Sequence, residues 1–114
     1  MAYSNLDYLR AITEGDQQII REMIQIFLDQ IPVFSHNLNE LYLTGQYAAL
    51  GSEAHKIKSS LLIMGMNELA EEMKDLQNKT IQKIDPESYP VYISHFETQC
   101  KAVIEELQIE LASL

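Results

Sequence analysis

Apolar residues recur at intervals of three and four along most of the chain, the period of α-helices buried on one side. Leu6, Leu9 and Ile12 predict a short first helix over residues 5–13. "TEGD" interrupts it, and Asp16 stands where a carboxylate accepts from free N–H groups two or three residues on. Ile20, Met23, Ile24, Phe27, Leu28 and Ile31 then mark one buried stripe. Pro32 falls inside that pattern, where it removes a backbone donor and crowds the carbonyl of Leu28. Phe34, Leu38, Leu41 and Tyr42 carry the period past it, so the pattern predicts a kink or two abutting helices. "TGQY", residues 44–47, reads as a turn.

A third helix is expected over residues 47–64. Its seam of Leu50, Ala54, Ile57, Leu61 and Met64 steps by four, three, four and three, as in a coiled coil. Gly65 follows where a left-handed C-cap is common. Asn67 is a candidate cap for a fourth helix with Leu69, Ala70, Met73 and Leu76 inward, fraying within "NKTIQKIDPES". Asp85-Pro86 and Tyr89-Pro90 predict a loop. The last helix gathers Ile93, Phe96, Cys100, Val103, Ile104, Leu107 and Leu111 on one face. Four long amphipathic segments with short connections predict an all-α, up-down four-helix bundle with a short extra N-terminal helix.

Length and composition narrow the function. At 114 residues and 46% hydrophobic, the chain suits one domain, residues 1–114, with its own core. A net charge of −9 argues against binding nucleic acid or anionic lipid, both of which need clustered Lys and Arg. One cysteine, Cys100, permits no internal disulfide. The N-terminal "MAYSNLDYLR" lacks a basic-then-apolar leader, and no apolar run reaches the ~18 residues of a membrane span. The expectation is a cytoplasmic domain, and a monomer, because each stripe can be used inside one bundle.

The third helix holds the candidate chemistry. At 100° per residue, its seam lies roughly 140° from His55. His55 is therefore outward, and its neighbours on the wheel are Ala48, Gly51, Ser52, Lys58, Ser59 and Leu62. Most are small, which lets another protein approach the ring closely. Gly51 in mid-helix costs ~1 kcal/mol relative to Ala, so some other gain offsets it. A neutral imidazole is nucleophilic and can accept a phosphoryl group, and Lys58, one turn on, can offset the negative charge gained. No phosphate-cradling loop or metal cluster is evident, so a partner would complete the chemistry. By periodicity alone, an exposed histidine beside a lysine is usually plain surface.

"AHKIKSSLLIMG" resembles the signature of the histidine-containing phosphotransfer (HPt) domain, a pattern like A-H-x-L-K-G-S-x-x-x-x-G on the second long helix of a four-helix bundle. Ala54, His55, Lys58, Ser60 and Gly65 match, and Ile57 takes the apolar place. "IQIFLDQIPVFSHNLNEL" upstream and "MNELAEEMKDLQ" downstream are similar to the flanking helices. The resemblance covers most of residues 6–80. It implies a phosphorelay carrier: His55 takes a phosphoryl group from a receiver-domain aspartate and passes it to another receiver. It implies partners of the response-regulator or hybrid-kinase type, and Mg²⁺ on the receiver with no cofactor bound by this chain. The implied roles are His55 as nucleophile, Lys58 for charge compensation, and Gly51, Ser52, Ser59 and Leu62 for docking. One position departs. Ser59 stands where the family usually has glycine, which bears on transfer rate and partner choice.

Other candidates are weaker. His36 and His95 lack the i, i+4 partner a helical zinc site wants. Glu53, Glu71, Glu72 and Asp75 lack the Glu-x-x-His spacing of di-metal bundles and read as a solvated flank. Cys100, Met23, Met64 and Met73 read as core. A non-transferring bundle that merely docks a receiver is the competing reading, kept open by Ser59. An ATP-using kinase is disfavoured, since no Gly-rich nucleotide motif or second domain is evident.

Overall fold

A computed structural model describes residues 2–114. The order is α1 (Asp7–Ile12), α2 (Gln17–Leu43), α3 (Tyr47–Ile63), α4 (Asn67–Gln82), a single 3₁₀ turn (Pro86–Ser88) and α5 (Tyr89–Ser113). The four long helices form the bundle: α2 packs on α3 and α5, and α4 on the same two. The short connections make successive helices antiparallel. The predicted stripes supply the core. Ile20, Ile24, Phe27, Ile31, Phe34 and Leu38 are buried on α2, and the whole α3 seam from Leu50 to Met64 is buried.

Helix ends follow local chemistry. The Asp16 carboxylate accepts from the backbone N–H of Gln18 (3.0 Å) and Ile19 (3.1 Å), as the sequence suggested. At the end of α3, Met66 N–H donates to Leu61 O (2.9 Å) and Gly65 N–H to Leu62 O (3.1 Å). That double closure needs a left-handed residue, and Gly65 supplies it at φ +70°. A Cβ at Gly65 would also lie 2.1 Å from Asn5 O, so glycine is required twice over.

Three boundaries differ from expectation. Helix α2 runs unbroken through Pro32 as one 27-residue helix, not two abutting ones. Packing of its stripe on both sides of the proline outweighs one missing donor. Asn67 does not cap α4: Met66 holds the cap position without a side-chain bond, buried in the core, and Asn67 is the first helical residue. Tyr89-Pro90 is not loop but the first turn of α5, where a missing proline N–H costs nothing. Tyr89 is buried there, its hydroxyl donating to Ile84 O (2.8 Å) and its ring edge-on to Tyr47 (5.3 Å).

Helix α1 closes one end of the bundle. Leu6 and Leu9 are buried against it, and Asn5 N–H donates to Met64 O (3.0 Å). Glu106 on α5 accepts from the N–H groups of Tyr3 (2.7 Å) and Ser4 (2.9 Å) and from the Ser4 hydroxyl. Arg10 pairs with Glu110 at 2.7 Å. Together these bonds fix the segment against the α3–α4 turn and α5.

Candidate functional site

Helices α3 and α4 are the most closely packed pair, and Gly51 is the reason. A Cβ there would lie 2.0 Å from Thr80 Oγ1 and 3.2 Å from Thr80 Cβ. Gly51 is buried under that contact. Its assignment to the docking surface is therefore corrected: the position faces α4, not solvent. The helix-propensity loss noted in the sequence is offset by close packing within the fold.

That approach sets the register of the two helices and brings Gln77 opposite His55. His55 is exposed near the middle of α3, and its Nδ1 lies 3.2 Å from Gln77 Oε1. An amide oxygen can only accept, so this contact favours the tautomer that carries its proton on Nδ1. The lone pair then sits on Nε2, on the far side of the ring. That tautomer leaves Nε2 as the nucleophilic nitrogen.

Around it, α3 carries Lys56 and Lys58 against the single Glu53, a cationic stretch within an acidic chain. Lys58 is half-buried, one turn beyond His55, and no carboxylate stands within ion-pair distance of it among the described residues. Its charge is free to meet an incoming anion. Lys56 differs. It contacts Glu53 at 4.0 Å and sits 5.9 Å over the Phe34 ring.

The remaining site residues divide. Ser52 is exposed but its hydroxyl donates back to Ala48 O (3.3 Å). Ser59 and Leu62 are exposed and line an open groove with Asn5, Tyr8 and Asn67, so α1 contributes a wall beside the C-terminal end of α3. Sequence reading missed Gln77 and this wall. Both lie far from His55 along the chain, and no periodicity within one helix points across to another.

The other histidines have separate roles. His95 on α5 binds Glu72 of α4 through Nδ1 (2.5 Å), with Gln99 at 3.3 Å from Nε2. This contact ties α4 to α5. Glu72 is therefore engaged, not merely a solvated flank. His36 is exposed on α2. Cys100 is buried, and desolvation, aided by Glu97, pushes its thiol up to about 12, which fits the expected core role. Among the described residues, no helix is long and apolar enough to cross a membrane.

The chain has no match among curated proteins and none among solved structures. It does match the family model of the Hpt domain over residues 22–110, which spans all of α3 and α4 and most of α2 and α5. The helical bundle, the outward His55 with its lysine, and this match agree: the chain belongs to the Hpt domain family, whose members carry out histidine phosphotransfer in two-component phosphorelays.

Proposed function

We propose that His55 is the phosphoryl-carrying residue, taking the group from a receiver-domain aspartate and handing it to the aspartate of another receiver. The observation that carries this reading is the exposed His55 ring with Gln77 Oε1 3.2 Å from its Nδ1, a contact that favours Nε2 as the nucleophile. The Nε2 lone pair attacks phosphorus, an N–P bond forms, and the P–O bond to the aspartate breaks, returning a carboxylate. The ring proton stays on Nδ1, and Gln77 Oε1 steadies the positive charge that develops on the ring. Lys58 offsets the charge of the arriving phosphoryl oxygens. Mg²⁺ on the receiver would serve the leaving carboxylate's side, and a cytoplasmic setting beside receivers is part of the same reading.

Ser59, one turn from His55 and exposed, supports a rim role in docking together with Leu62 and Ser52. The test is transfer from a phosphorylated receiver with Mg²⁺. The expected result is an acid-labile, base-stable label that His55→Gln abolishes. Label persisting in His55→Gln would refute the assignment. A stable complex with no label on the parent chain would favour the non-transferring docking bundle instead.

A further inference from the structure

Two cross-contacts fix the register of α3 against α4. Gly51 lies under Thr80, and His55 Nδ1 lies 3.2 Å from Gln77 Oε1. The helices are antiparallel, so each turn forward along α3 is matched by a turn back along α4. Lys58, three residues past His55, is therefore level with Lys74, three residues before Gln77. Both stand one turn, roughly 5 Å, along the cleft from the histidine.

The helical step also sets their sides. Lys58 lies roughly 60° around α3 from His55, on the same side as Gly51, which faces α4. Lys74 lies roughly 60° around α4 from Gln77, on the side opposite the buried Met73 and Thr80. Lys58 thus rises from within the cleft, half-buried, and Lys74 from its solvent edge, exposed. Long flexible stems let both ammonium groups turn toward one point beside the ring.

Their charge is not used inside the fold. Of the eight cationic side chains, Arg10, Lys56 and Lys79 pair with carboxylates, and Arg21 donates to Leu114 O (2.7 Å). Lys58, Lys74, Lys83 and Lys101 have no carboxylate within ion-pair distance among the described residues, in a chain with 17 acidic side chains. Lys83 caps the C-terminal end of α4, and Lys101 is exposed on α5. Only Lys58 and Lys74 share a level beside His55. Glu71 and Asp75, the acidic neighbours of Lys74 on α4, leave it unpaired.

A phosphoryl group on His55 brings about two negative charges at neutral pH. Mg²⁺ held by a receiver would leave with that receiver, so between two receivers the carrier itself has to meet this charge. One lysine meets half of it, and two level lysines meet it all. Two like charges at one level also oppose each other until an anion arrives. We infer that Lys74 is a second cation for the phosphoryl group on His55, holding its oxygens together with Lys58 from the helix across the cleft. The inference rests on the proposed phosphoryl reading; the placement of Lys74 rests on the α3–α4 register.

The test labels the whole chain with phosphoramidate, a small donor that needs no docked receiver, and follows the ³¹P signal of the phosphohistidine against pH. A nearby cation favours the dianion. Lys74→Gln should therefore move the titration midpoint upward by about half a pH unit, a threefold shift. Lys58→Gln should do the same, and the double variant should move it by about one unit. Lys74→Arg should keep the parent midpoint. Lys101→Gln removes an equal charge elsewhere and should leave the midpoint in place. A parent midpoint in Lys74→Gln, or an equal shift in Lys101→Gln, would overturn the inference while the phosphoryl reading stands. Failure of His55 in the parent chain to take label would remove both.

Discussion

Gly51→Ala is the sharpest probe of how the fold positions the site. In most mid-helix positions this change would stabilise by about 1 kcal/mol through helix propensity. Here the new methyl group would sit 2.0 Å from Thr80 Oγ1, 3.2 Å from Thr80 Cβ and 3.6 Å from Gln77 O. Thr80 can turn its hydroxyl away only by giving up its 2.7 Å bond to Gln77 O. Even then the Cβ–Cβ contact stays tight, so α3 and α4 must separate slightly. Overpacking of this kind costs about 1–3 kcal/mol, which outweighs the propensity gain. Taken at the middle of that range, the expected net loss is about 1 kcal/mol, a Tm drop of roughly 5 °C for a domain of this size. Thermal and urea unfolding measure it. Thr80→Ala removes the atom in closest conflict, so the double variant should recover much of the loss. The coupling should be about 1 kcal/mol or more. Moving α4 outward also draws Gln77 from His55, so phosphoryl acceptance should slow together with the stability loss. A Gly51→Ala chain as stable as the parent, or strict additivity with Thr80→Ala, would refute the close-approach argument.

Three further expectations concern single residues. Gln77→Ala removes the acceptor for the His55 ring proton and should slow phosphoryl acceptance about threefold to tenfold, the worth of one neutral hydrogen bond, with little change in unfolding. Transfer at the parent rate would show that Gln77 does not orient the ring. Burial works against the Glu106 carboxylate, but the Ser4 hydroxyl and the N–H groups of Tyr3 and Ser4 overcome it and hold the group below the usual carboxylate range. A depressed folded value means that this tether stabilises above the unfolded value of roughly 4.3 and is lost as pH falls through the lower folded value. Amide exchange at Tyr3 and Ser4 should therefore quicken below about pH 4, and Glu106→Gln should flatten that dependence. The Cys100 thiol, raised to about 12 by burial, should resist an aromatic disulfide reagent in the folded chain and react at once in denaturant; fast native reaction would contradict its place in the core.

Much of the fold is written in local pattern. The α3 seam, the Asp16 cap and the Gly65 turn each depend on residues within a few positions, where helical geometry and backbone chemistry leave little choice. The outward placement of His55 follows from the same 100° step. What periodicity fixes is the angle of a residue about its own helix axis. It does not fix which neighbour that residue meets, because the rotation and register of packed helices are set by how their side chains fit. Hence Gly51, read on the wheel as part of an open clearing, proved to lie beneath the contact with Thr80. The same fit brought in Gln77, 22 residues away, to hold the ring, and paired Glu72 with His95 across α4 and α5. Ile19, Ile26 and Val33 show the converse. Their spacing was visible in the chain, but only the bundle, filled by the other face of α2, left them outside it. The sequence by itself determined the helices and the outward histidine; tertiary packing decided which residue meets its ring and which apolar surface remains uncovered.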